Sequence, residues 1–178
     1  TRSPEYDDET RKPAGRRAAP KPGRGPLVGY RCGAAATSGA ASMSLVFAAV
    51  CSHAPGITGR AQLADQAKKD ALHAELYRLG ETLRAARPDA LVVVAAEHFA
   101  NFFMDNMPAY AMGMADHYEG PIEDPAWLGI ARTRIPGDAA LSRRLIGEVM
   151  QTVDVAFAEE WKLDHGVMVP LHFLTPKF

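Results

Sequence analysis

The sequence predicts an α/β fold, a mostly parallel central sheet with helices on both faces. Two apolar runs, Leu45–Cys51 and Leu91–Ala96, carry much of that expectation, because an unbroken apolar run suits a parallel strand covered on both sides. A long stretch with apolar residues at helical spacing joins them. Strand, helix and strand in that order form a crossover that closes right-handed almost without exception, so the carboxyl ends of both strands open onto one edge of the sheet. Open α/β sheets bind their ligands at such an edge.

Charge divides the 178 residues into two parts. Residues 1–42 hold eight Lys or Arg against four Asp or Glu, whereas residues 43–178 hold twelve against seventeen. The first part is rich in Pro, Gly, Ala and Arg and has no helical or strand period. It cannot bury enough apolar surface to offset its ordering entropy, so it is expected to be a disordered basic extension. Arg16, Arg17, Lys21 and Arg24 would be its nucleic-acid or anionic-lipid contacts, but no aromatic residue interleaves with them, and Met43 stands as a natural start just before the first apolar run. Nucleic acid is therefore not an expected partner. The basic stretch runs into Gly-Ala-Ser rather than a continuous apolar segment, which does not fit a secretory leader. No stretch approaches the roughly 20 apolar residues that span a bilayer, so no membrane association is expected. With only Cys32 and Cys51, a disulfide framework is not expected and a reducing cytoplasm is the natural compartment. Cys51 shares a strand face with His53, yet a free Cys in an apolar run reads first as packing.

After the first run, Pro55-Gly56 and Gly59 form a loop. From about Gln62 to Ala86, Leu63, Ala67, Ala71, Leu72, Leu76, Leu79 and Leu83 share one helical face. Gly80 weakens this helix without ending it, and Pro88 closes it. Residues 99–124 read as a long loop, in which Phe102, Phe103, Met104 and Tyr110 either wall an aromatic pocket or plug the core. A short strand follows near Ala131–Ile135, then Asp138 caps a helix that turns Leu141, Leu145, Ile146 and Val149 inward. Val155–Leu163 reads as a further strand, ending in Asp164-His165-Gly166.

His53, His98 and His165 each follow an apolar strand directly and precede a loop. Packing explains such convergence poorly, because a buried neutral imidazole needs hydrogen-bond partners of its own. His73 is expected on the surface and His172 partly buried in a helix. Three histidines would suit zinc with one open position, whereas two histidines and a carboxylate suit non-haem Fe(II). His165 is either a ligand or a nearby acid/base, since imidazole titrates near working pH.

Ser52-His53-Ala54-Pro55-Gly56, Glu97-His98-Phe99, Asp105-Asn106-Met107-Pro108, Asp116-His117, and Leu163-Asp164-His165-Gly166 with Val169-Pro170-Leu171, in this order, resemble the class III extradiol ring-cleavage dioxygenases. The likeness is to the protocatechuate 4,5-dioxygenase β subunit and the 2,3-dihydroxyphenylpropionate dioxygenase group, and covers residues 45–176. The resemblance implies Fe(II) held by His53 and His98, His165 as the active-site acid/base, and His117 after Asp116 as a second proton-transfer histidine. It implies extradiol cleavage of a catechol-type substrate with O2, homo-oligomers by analogy, and a small second subunit in some relatives. The family's third iron ligand is a glutamate expected beyond Phe178. Glu97 should point away from His98, and Glu119 and Glu123, in the loop, are poor substitutes. Residues 43–178 are thus expected to be the N-terminal portion of one dioxygenase domain that binds Fe(II) weakly and turns over poorly or not at all. A zinc hydrolase or a non-catalytic relative on the same scaffold is the alternative.

Overall fold

The computed structural model describes residues 44–175. The expected disordered arm, residues 1–42 with Cys32, lies outside the described residues.

Helix α2, Gln66–Ala86, is the longest element. Asp65 caps it by accepting the Lys68 N–H at 3.0 Å, and the chain leaves it through a left-handed Arg87 just before Pro88. Its partner is α5, His165–Leu174. Phe173 and Val169 of α5 are fully buried, and Phe173 packs on His73 and Tyr77 of α2 at ring-centroid distances of 5.0 and 5.2 Å. Gly80 makes this approach possible, since a Cβ there would stand 2.8 Å from the Phe173 carbonyl oxygen. The glycine that weakens α2 intrinsically is the point where a second helix touches it.

The buried face of α2 is rotated from the expected one. Leu76, Gly80 and Leu83 are buried and His73 is partly so, while Leu63 and Leu72 remain exposed. His73 is no free surface residue, because its Nε2 lies 3.1 Å from the Ile57 carbonyl oxygen. Leu63 belongs to a separate 3-10 turn, Ala61–Leu63, that follows the short helix α1, Gly56–Gly59, in the stretch expected to be loop.

The α/β class holds, with small sheets. Strand β1, Ala111–Gly113, pairs in parallel with β4, Ala156–Ala158, while β2, His117–Gly120, pairs antiparallel with β3, Thr133–Pro136. Between β2 and β3 sits α3, Pro125–Leu128, capped by Asp124. Helix α4, Ala139–Val149, is capped as expected by Asp138, which accepts the Leu141 N–H at 2.8 Å. The region expected to be all loop thus holds two strands, whose partners lie far along the chain and leave no local period.

Neither Leu45–Cys51 nor Leu91–Ala96 forms a ladder, which corrects the crossover expected between them. Val50 is 99% and Val94 94% exposed. A continuous apolar run becomes a strand only where neighbours supply ladder hydrogen bonds and layers cover both faces, and the described residues supply neither here. No helix among the described residues is long and apolar enough to cross a membrane.

Candidate metal centre

Both apolar runs nevertheless deliver their histidines to one place. The turn after the second run is tied down by Glu97, whose carboxylate accepts the backbone N–H groups of Phe99, at 2.8 Å, and of Asn101. Phe99 takes a left-handed φ of 58°, so the chain reverses sharply after His98. Asn101 then donates to the Lys162 carbonyl and accepts the Lys162 N–H, both at 2.9 Å. These bonds stitch the His98 turn to the segment entering α5, and Glu97 is turned toward its own backbone.

Asp164 carries the next layer. It is 5% exposed and accepts three N–H donors. Its Oδ1 takes the Gly166 N–H at 2.9 Å, capping α5, while Oδ2 takes both the backbone N–H and the Nδ1 of His98 at 3.0 Å. An ionised carboxylate only accepts, so the His98 proton sits on Nδ1 and Nε2 keeps its lone pair. An orienting carboxylate behind a histidine is the usual second layer of a metal site. Gly166 completes the junction: a Cβ there would lie 2.8 Å from the Ala96 carbonyl oxygen and 2.9 Å from Asp164 Oδ1.

His165 is the first residue of α5, not a residue before a loop. The Asp-His-Gly sequence is a cap and first turn, a signal hidden by the glycine and by Pro170 inside the helix. Glu123 accepts the His165 backbone N–H at 2.9 Å and its Nδ1 at 2.7 Å, both through Oε1. A glutamate set aside on sequence grounds therefore lies against the site. Its placement between Pro121 and Pro125, just before an Asp-Pro helix start, is the signal that marks a held segment rather than a free loop.

The three rings meet. Centroids are 5.2 Å apart for His53 and His98, 4.2 Å for His98 and His165, and 6.1 Å for His53 and His165. With metal–nitrogen bonds near 2.0–2.1 Å, two imidazoles on adjacent positions of one ion have centroids roughly 4.5–5.2 Å apart. His53 and His98 meet that spacing, whereas His165 stands too close to one and too far from the other to complete an even three-histidine set. His98, Asp164 and His165 also place candidate ligand atoms within 4.8 Å of one another, but both oxygens of Asp164 are already engaged. The donor set fits two imidazole ligands, and each carboxylate beside them already serves an imidazole or a backbone N–H.

Asp116 and His117 are exposed, at and just before the start of β2, and no described hydrogen bond or ring contact joins them to the three histidines. Cys51 packs against the core, and burial pushes its thiol pKa up, away from the thiolate a metal requires. A cavity of about 1550 Å³ runs beside Leu91–Glu97, β1 and α4, and none of the three site histidines lines it. Of the proposed wall residues, Phe102 is partly buried, edge-on to Trp161 at 5.4 Å, while Phe103, Met104 and Tyr110 are exposed.

Residues 47–178 match the family described as the catalytic LigB subunit of aromatic ring-opening dioxygenase. The chain belongs to this family. Its relatives include a 2,3-dihydroxyphenylpropionate/2,3-dihydroxicinnamic acid 1,2-dioxygenase of Cupriavidus necator, 35% identical over 96 residues, which are 53% of this chain and 29% of the relative. A protein of the same description from Mycobacterium ulcerans (strain Agy99) is 30% identical over 107 residues, 59% of this chain and 32% of the relative. This LigB-family chain therefore spans about a third or less of the curated relatives it matches. No solved structure gives a significant match.

Proposed function

We propose that this LigB-family chain carries the histidine part of a non-haem Fe(II) centre for extradiol cleavage of a catechol-type ring with O2, in the degradation of aromatic compounds. The observation that supports it is the meeting of His53, His98 and His165, from three distant segments, with centroids no more than 6.1 Å apart. His53 and His98 would hold the metal. Fe(II), when bound, supplies chelation of the diol and reactivity toward O2.

His98 presents its bare Nε2 because Asp164 holds the opposite nitrogen. His165 is the acid/base: with Nδ1 engaged by Glu123, its Nε2 accepts the proton that a catechol hydroxyl loses on binding and returns it later. The roles of His117 and Asp116 in a second proton transfer rest on the resemblance alone, as do homo-oligomerisation and a small second subunit, while a cytoplasmic location rests on the sparse cysteines. A catechol bearing a propionate side chain is the first substrate to try, given what the relatives are named for. Zinc on all three imidazoles is the second reading, which the shared cluster favours and the uneven 4.2 and 6.1 Å spacings oppose.

Oxygen uptake and yellow product formation, after anaerobic loading with Fe(II) and addition of 2,3-dihydroxyphenylpropionate, test the proposal. Slow cleavage is expected, lost in His53→Ala and His98→Ala and strongly reduced in His165→Ala. Zinc retained through purification, with no oxygen uptake in the presence of Fe(II), would favour the hydrolase instead.

A further inference from the structure

We infer that Glu123 is a positioning residue that fixes the tautomer of His165, holding the ring proton on Nδ1 so that Nε2 is left bare. The inference rests on the reading of His165 as the acid/base. One oxygen, Oε1, receives both the His165 backbone N–H at 2.9 Å and Nδ1 at 2.7 Å, which fixes the ring's rotation as well as its proton. Both side chains are largely buried, at 15% exposure for His165 and 17% for Glu123, so water competes little for the bond.

The backbone that carries Glu123 is itself fastened to the approach to α5. Leu163 donates to the Glu119 carbonyl and Ile122 donates to the Leu163 carbonyl, each at 2.9 Å. Asp124, the next residue, caps α3 through the Ala126 N–H at 2.7 Å. Glu123 and His165 are thus set against each other by backbone pairing and not by the side-chain hydrogen bond alone. The second oxygen, Oε2, is buried and has no hydrogen-bond partner among the described residues. A carboxylate kept only for stability would be expected to satisfy both oxygens, and an orphaned buried acceptor calls for an explanation in function. Here the orphan follows from aiming Oε1 at the imidazole.

Glu123→Leu tests this, because it removes the acceptor that holds the proton on Nδ1 and leaves the ring free to carry it on Nε2, at similar volume. The readout is the nitrogen-15 spectrum of the imidazoles in the full 178-residue chain without metal, at about pH 8, above the ordinary imidazole range. His165→Gln assigns the signals. Expected in the wild type is a protonated Nδ1 and a bare Nε2 on His165, with protonated Nε2 gaining population in Glu123→Leu and His98 unchanged because Asp164 holds it. A wild-type His165 protonated on Nε2 overturns the inference whether or not the variant folds, and so does an unaltered tautomer in a folded Glu123→Leu chain. With Fe(II) and catechol, the variant should lose about 10- to 100-fold in kcat with a smaller change in KM. If the wild type cleaves no catechol, the tautomer measurement still decides the role of Glu123.

Discussion

Asp164 reaches across 66 residues to bind His98 twice, through its backbone N–H and its Nδ1, both at 3.0 Å. The same carboxylate caps α5 through Gly166, so the helix start and the histidine orientation are one structure. Asp164→Asn keeps a capping oxygen but cannot accept all three donors. It should weaken metal binding about 10- to 100-fold with a modest loss of stability. Asp164→Ala should lose the cap as well, a further cost of about 1 kcal/mol. Metal titration and thermal melting of both variants separate the two effects.

Gly166 tolerates no side chain without movement, since a Cβ would press on the Ala96 carbonyl, Asp164 and the His98 ring. Gly166→Ala should cost about 1–3 kcal/mol by overpacking and disturb His98 directly. Chemical denaturation gives the first, and the His98 imidazole shift gives the second. A variant as stable as the wild type, with that shift unchanged, contradicts the close packing described.

Phe173 is 1% exposed and joins α5 to α2 through His73 and Tyr77. Phe173→Ala should destabilise the fold by about 3–5 kcal/mol, measured by urea unfolding. An effect below about 1 kcal/mol would mean that the two helices do not share this core.

His172 has its pKa lowered from 6.5, first by burial and then by the charge of His73 on the facing helix. The folded state therefore resists protonation more than the unfolded state does. Stability from neutral His172 is fully present above the ordinary value and is lost as pH falls through the folded pKa. Melting temperature should fall on the acid side, and His172→Gln should flatten that limb while leaving the value at pH 8 little changed. An identical acid limb in the variant contradicts the assignment.

Short-range signals in the sequence carried α2, α4 and the Asp138 cap, because helical period and capping chemistry are local. Strands β3 and β4 fall where strands were expected, near Ala131–Ile135 and within Val155–Leu163, whereas their partners β1 and β2 lie in the stretch read as loop, since such short strands depend on partners elsewhere in the chain. The apolar runs misled for the same reason: hydrophobicity records a need for cover without saying what provides it. At the site, His53, His98 and His165 stood out by position, yet Asp164 and Glu123 did not. Asp164 read as part of a motif and Glu123 as loop, because a partner for an imidazole is chosen by tertiary contact and leaves no spacing to recognise.

Anaerobic Fe(II) titration of the chain tests the central claim, that His53 and His98 together hold the metal. Weak, saturable binding is expected, lost in His53→Ala and in His98→Ala and retained in His117→Ala. Binding that survives both of the first two substitutions would place the metal elsewhere and contradict the account.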